Sequence, residues 1–176
     1  MTEDWKSMLE IATAAFTALM AACTAWLALE TRKLEKGWRE TSKDQIGVTT
    51  WLELERRFDS EEIKLARKKF AQQLKTYAVA KHDKISETVL NFFESVGIIY
   101  KEGYLNTKLA DSSFSFYAVR YWEAAKAYVD QEQKRHGDDT TLFEDFKEMA
   151  ELMRLPDEKI DDGEIQRFLD DEIRLV

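Results

Sequence analysis

Residues 11–29, IATAAFTALMAACTAWLAL, contain no charged side chain and lie between Glu10 and Glu30. As a helix with a rise of ~1.5 Å per residue, this stretch is about 28 Å long, close to the ~30 Å hydrocarbon core of a bilayer. Glu3 and Asp4 precede it with a single Lys6, which is not the basic start of a cleaved signal peptide. The stretch therefore predicts one N-terminal transmembrane helix.

Successive residues of a helix are about 100° apart, and this rotation sorts the predicted span into three faces. The first face carries hydroxyl groups and one thioether, on Thr13, Thr17, Met20 and Thr24. The second carries small side chains, on Ala14, Ala18, Ala21 and Ala25. The third carries bulky apolar groups, among them Phe16, Leu19, Trp26 and Leu27. Such a division predicts that the faces meet different surroundings.

Three interpretations of this helix follow from its faces. In lipid, small residues let helices approach closely and threonines bond across helices, which suits an oligomer with a threonine-lined, water-filled interior. A plain anchor is the second interpretation, in which each threonine bonds back to a carbonyl four residues earlier. The third is an alanine-rich helix buried in a soluble protein. The residues alone leave all three open.

Basic side chains are concentrated on the C-terminal side of the span. Arg32, Lys33, Lys36, Arg39 and Lys43 follow it, whereas only Lys6 precedes it. The positive-inside rule then places the N-terminus outside and the rest of the chain in the cytoplasm. Trp5 and Trp38, together with Arg32, Lys33 and Lys36, are expected near the two membrane interfaces.

The remaining chain predicts an all-α protein. One proline, six glycines and 34% charged residues among 176 favour long helices over strands and turns. We therefore expect two parts, a transmembrane and juxtamembrane helix over residues 1–43 and a cytosolic helical bundle over residues 44–176. The final stretch from Asp138 to Val176 is acidic, with fourteen acidic and five basic side chains.

Cap and stop residues place the helices of the bundle. We expect Asp59 to cap one helix, a second to run from near Ser86 to Gly103, and Asn106 to cap a short turn. A long helix is predicted from about Ser113 to His136. The last two helices are expected to begin with the capping pairs Thr141 with Glu144 and Asp161 with Glu164.

No catalytic arrangement stands out in the sequence. The chain has one cysteine, Cys23, and two histidines, and it lacks a glycine-rich phosphate loop and paired metal-ligand spacings. No catalytic residue, metal or cofactor is therefore expected. The net charge of −8 also disfavours direct nucleic-acid binding, because an acidic surface repels phosphate. Neither His82 nor His136 follows an arginine with four to six residues between the two, the spacing that small helical ribonucleases use.

Four segments of the bundle are familiar in combination: WLELERRFDS at 51–60, VLNFFESVG at 89–97, GYLN at 103–106 and FYAVRYW at 116–122. Together with the preceding apolar helix, they resemble a family of short bacterial membrane proteins with an uncharacterised helical domain. In size and layout the chain looks most like the small membrane accessory proteins of type VI-B CRISPR systems.

That resemblance implies a function. The accessory proteins look like ring-shaped homo-oligomers, with an octamer expected, that form a pore, depolarise the bacterial inner membrane and enhance antiphage defence by an RNA-guided effector. A divergent form of the helical ribonuclease motif is also ascribed to them. Two alternatives therefore stay open beside the pore: a membrane-tethered scaffold that binds a partner protein, and a membrane-bound ribonuclease.

Overall fold

The computed structural model describes residues 17, 20–21, 24–33, 45–76 and 84–175, with side chains from residue 87 onward in the last range. The chain divides into two compact units, Met1–Asp44 and Gln45–Val176. All described residues of the first unit are helical. Within the described residues, no helix combines the length and the apolar character that a membrane span requires. Residues 11–16, 18–19 and 22–23 of the predicted span lie outside them.

The second unit is built from helices in all its described regular structure, which confirms the predicted all-α class. Helix α1 covers residues 45–58. The helices that follow are α2 (Glu61–Thr76), α3 (Lys84–Lys101), α4 (Thr107–Arg135), α5 (Glu144–Met153) and α6 (Asp162–Arg174). Helix α3 packs against α5 and α2, α4 packs against α5, and α2 packs against α6.

The core is a cluster of aromatic rings around Phe58, near the end of α1. Its ring centroid lies 5.3 Å from that of Phe92, 5.7 Å from that of Phe114 and 4.9 Å from that of Tyr117. Aromatic pairs at such distances contribute about 0.5–1.5 kcal/mol each beyond the burial of their area. This cluster joins α1, α3 and α4, and therefore brings together three of the four segments that carry the family resemblance.

Helix boundaries follow the local sequence at several places. Gly103 has a φ of 69°, and Tyr104 N–H donates to the carbonyl of Ile99, which closes α3 at the predicted stop. Asp161 accepts a hydrogen bond from Glu164 N–H at 2.7 Å, so the predicted cap of the last helix is confirmed. These ends are determined by residues within one turn of each other.

Three predicted helix starts were wrong. Ser60, not Asp59, caps α2, because its hydroxyl accepts from Ile63 N–H at 3.3 Å. Asn106 is a cap, as predicted, because its side chain accepts from Leu109 N–H, but it begins α4 itself. That helix therefore starts at Thr107 and not near Ser113, since no glycine or proline interrupts residues 107–113. The third is the start of α5, where Phe143 occupies the cap position and makes no side-chain cap bond.

A carboxylate from α3 takes the role predicted for Thr141 at the start of α5. Glu94 accepts hydrogen bonds from Phe146 N–H at 2.7 Å and Asp145 N–H at 3.4 Å. Thr141 instead donates its hydroxyl hydrogen to Asp139 at 2.6 Å. The capping box failed as a prediction because a neighbouring helix supplies a charged acceptor to the same N–H groups.

Candidate functional site

The described part of the first unit is a helix with exposed apolar side chains. Trp26, Leu27 and Leu29 are each more than half exposed in the isolated chain. Thr24 donates its hydroxyl hydrogen to the carbonyl of Met20 at 2.8 Å, the back-bonded arrangement that the plain-anchor interpretation expects. The hydroxyl oxygen keeps its capacity to accept a further hydrogen bond from water or a neighbour.

The predicted membrane residues are only partly described. Thr17, Met20, Ala21, Thr24 and Ala25 are helical and exposed, as are Arg32 and Lys33. Lys33 lies 3.7 Å from Glu30 in an exposed ion pair. Trp5, Thr13, Ala14, Ala18, Lys36 and Trp38 lie outside the described residues. Their assignment to a lumen, a helix contact or an interface stays a prediction.

A buried ion pair in the second unit was not predicted from the sequence. Arg67 on α2 donates from Nε and Nη2 to the two carboxylate oxygens of Glu172 on α6, at 2.7 and 2.6 Å. Tyr121 on α4 donates its hydroxyl to the same carboxylate, and all three residues are buried. Bidentate pairing of this kind satisfies both charges away from water. The three side chains thereby connect α2, α4 and α6.

The aromatic core completes the surroundings of Arg67. Its guanidinium carbon lies 4.1 Å from the ring centroid of Phe58 and 4.8 Å from that of Tyr117. Burial alone would lower the pKa of Arg67, but the hydrogen bonds and charge of Glu172 outweigh it and raise that pKa. Burial and the Glu172 charge raise the pKa of Tyr121 well above its usual value. The arginine is therefore permanently charged and the tyrosine neutral.

A half-open groove of about 540 Å³ lies between α4 and the segment that joins α5 to α6. Its lining includes three exposed apolar side chains: Phe116, Leu152 at 69% exposure and Leu155 at 68%. Its remaining lining residues are Asp111, Ser115, Arg120, Met153, Arg154, Pro156 and Glu158. Nothing in the sequence periodicity separated Leu152 and Leu155 from ordinary exposed positions.

Arg120 fixes one wall of this groove. Its guanidinium carbon lies 4.0 Å from the ring centroid of Phe116, and Nη2 contacts the carboxylates of Glu158, at 3.4 Å, and Glu164. On the same helix, Asp111 accepts from the Tyr100 hydroxyl at 3.1 Å. Burial and the Asp111 charge raise the pKa of Tyr100. Arg120 is thus paired with two carboxylates and Asp111 is hydrogen-bonded, whereas the apolar side chains of the lining stay exposed.

The groove offers binding surface, not reactive groups. Its lining residues contain no histidine or cysteine, and Ser115 is its only hydroxyl residue. Over the described parts of the chain, no group of three or more His, Cys, Asp or Glu side chains is placed to hold a metal ion. A groove whose lining combines exposed apolar side chains with hydrogen-bonded or ion-paired charges is suited to receiving an apolar side chain.

Residues 12–153 match the family described as a domain of unknown function, DUF4760. The chain belongs to this family. The DUF4760 match ends at the last residue of α5, so α6 and its Glu172 lie beyond it. No curated protein and no solved structure is significantly similar to the chain.

Proposed function

We propose that this DUF4760 protein is a homo-oligomeric pore of the bacterial inner membrane that depolarises the membrane and enhances type VI-B RNA-guided antiphage defence. The observation that carries the proposal is the uncharged segment 11–29, with its hydroxyl, small and bulky faces. The exposed Trp26, Leu27 and Leu29 support it, because large exposed apolar groups on a helix require lipid or a neighbouring helix to cover them.

The proposed arrangement gives each face one environment. The bulky side chains contact lipid, the alanines contact the neighbouring subunit, and Thr13, Thr17, Met20 and Thr24 border the lumen. The basic residues after the span keep the second unit in the cytoplasm, where Arg32, Lys33 and Lys36 reach anionic headgroups. The protein acts without catalysis, and its partners are other copies of itself, the bilayer and, through function, the RNA-guided effector.

The test combines particle size with ion flux for the full chain purified in detergent and reconstituted in vesicles. Thr17→Phe is expected to reduce flux without preventing assembly, because the added phenyl group narrows the lumen. Ala25→Phe is expected to shift particles toward monomers, because it forces neighbouring helices apart. Leu27→Phe on the bulky face is the matched control and leaves both measurements unchanged.

Two outcomes contradict the pore. Monomeric wild-type particles in detergent would exclude any ring. If rings form but Thr17→Phe conducts like the wild type, Thr17 does not border the conduction path, and if Ala25→Phe also assembles normally the three-face assignment fails.

A membrane-tethered scaffold is the second candidate, and the groove between α4 and the α5–α6 segment favours it. Leu152 and Leu155 are exposed apolar groups that a partner protein would cover. A scaffold predicts that vesicles containing the protein stay impermeable to ions while substitution of Leu155 still abolishes the enhancement of defence in cells.

A further inference from the structure

Exposed charges of both signs lie beside the groove lining, and acidic groups are in excess: the exposed Lys159 follows Glu158, and two acidic residues outnumber it. Glu151 directly precedes Leu152, and Asp157 lies between the lining residues Pro156 and Glu158. Both acidic side chains are exposed, and neither forms an ion pair within the described part of the chain. An occupant of this groove should therefore present an apolar side chain with positive charges beside it.

Helix α2 of the same chain presents such a feature. Leu65 is 52% exposed, and Lys68 and Lys69 follow it by three and four residues, which places them beside it on the helix surface. Neither lysine forms an ion pair with any residue that the structure describes. Two acidic residues lie one turn earlier, Glu61 and Glu62. Glu61 is paired with Lys64 at 3.8 Å. We call Leu65, Lys68 and Lys69 the α2 knob.

The knob and the groove are formed by different helices of the second unit. Helix α5, which precedes the groove segment, packs on the side of α3 that carries Glu94 and Gly97. Helix α2 packs against α3 and α6. A protein with two different complementary patches can bind head to tail, and repeated head-to-tail contacts close into a ring when the rotation permits.

We infer that the α2 knob of one chain inserts into the groove of the next, so that the second unit forms a heterologous contact between copies. Leu65 contacts Phe116, Leu152 and Leu155 of the neighbour, while Lys68 and Lys69 face its Glu151 and Asp157. The inference rests on the proposed homo-oligomer and names the cytoplasmic surface through which its copies meet. A second copy is the favoured occupant because it carries both the apolar Leu65 and the two lysines that complement the acidic residues beside the groove.

Cross-linking in trans tests the contact directly. The full chain is used with Cys23→Ala, because Cys23 is its only cysteine. Chains carrying Leu65→Cys are mixed with chains carrying Leu155→Cys in membranes and treated with a short bifunctional thiol reagent. Covalent dimers are expected in the mixture and not in either variant alone. A chain carrying both cysteines should give a ladder of oligomers, as a head-to-tail contact requires.

Ile98→Cys replaces Leu65→Cys as the matched control, since Ile98 is comparably exposed at 47% and belongs to neither patch. No cross-link to Leu155→Cys is expected from it. Equal cross-linking from Ile98→Cys and Leu65→Cys, or none from either while the wild type is oligomeric, would overturn the inferred contact.

Charge reversal supplies the second measurement. Lys68→Glu with Lys69→Glu is expected to raise the protein concentration at half-assembly in detergent at least tenfold, and adding Glu151→Lys with Asp157→Lys should restore it. Restoration distinguishes a direct contact from a general effect of charge. A monomeric wild type would reject the proposed pore and this contact together. An oligomer insensitive to all four substitutions would reject the contact alone and leave the pore standing.

Discussion

At the scale of single residues, the Arg67–Glu172 pair has the largest expected effect on stability. Glu172→Ala leaves a permanently charged arginine buried without its partner, a change that costs about 3–5 kcal/mol. We expect the thermal unfolding of the full chain in detergent, followed by the helical circular dichroism signal, to shift strongly downward. The cause is desolvation of the guanidinium, since Phe58 and Tyr117 cannot replace a carboxylate.

Two variants separate this effect from the loss of an ordinary contact. Asp171→Ala removes the neighbouring carboxylate, which pairs with Arg174 at the surface, and should change stability by less than about 1 kcal/mol. Arg67→Met with Glu172→Leu removes both charges and should recover most of the loss. Equal stability of Glu172→Ala and Asp171→Ala would show that the pair contributes little.

Glu94 gives the protein a pH-dependent term in its stability. Burial raises the pKa of its carboxyl group, although its bonds to the N–H groups of Phe146 and Asp145 act in the opposite direction. Because the pKa of the Glu94 carboxyl group is higher in the folded chain than in the unfolded chain, its protonation stabilises the fold. This contribution to stability is complete at pH values below the unfolded-state pKa and is lost as the pH rises through the folded-state pKa. Stability of the wild type relative to Glu94→Gln should therefore increase as the pH falls from 7 toward the ordinary glutamate range.

The measurement is denaturant unfolding of both proteins at several pH values. The amide that Glu94→Gln introduces keeps an acceptor for the helix N–H groups and does not titrate, so the difference between the two curves isolates the carboxyl group. A constant difference across this range would refute the assigned pKa direction.

At the scale of helices, Gly97 determines how closely α3 approaches the start of α5. A Cβ at this position would lie 2.4 Å from the carbonyl oxygen of Asp145 and 2.6 Å from its carbonyl carbon. Both are backbone atoms, so the two helices would have to separate, at a cost of about 1–3 kcal/mol. The separation would also lengthen the bonds from Phe146 and Asp145 to Glu94.

Gly97→Ala is therefore expected to lower the stability of the full chain even though alanine has the higher helix propensity. Asn91→Ala, at an exposed position of the same helix, is the control and should be neutral or slightly stabilising. Thermal unfolding compares the two. Stabilisation by both substitutions would mean that α3 and α5 do not approach as closely as the structure has them.

At the scale of the whole molecule, the proposed membrane location and its orientation are the first properties to establish. The five basic residues from Arg32 to Lys43 predict that the N-terminus is outside and that residues 44–176 are cytoplasmic. A fluorescent protein that matures only in the cytoplasm should be bright when fused to Val176. A dark fusion, paired with activity of an enzyme reporter that functions only after export, would reverse the assignment.

The sequence by itself determined the helical class and those helix ends that depend on neighbours in the chain. Few breakers and a 3–4 residue apolar spacing favour helices, and these are local properties. Gly103 and Asp161 were predicted correctly as stop and cap because each acts on atoms within one turn. The uncharged segment 11–29 and its three faces are also sequence properties, and its membrane and pore roles stay predictions.

The tertiary structure alone decided the features that join distant parts of the chain. Glu94 replaces the predicted Thr141 cap by bonding to an N–H group 52 positions away in sequence, and Arg67 meets Glu172 across 105 positions. The groove exists only because α4 lies against the segment after α5. No local pattern encodes these contacts, because which polar groups meet in the core depends on how the helices pack, whereas periodicity specifies only which face of each helix is buried.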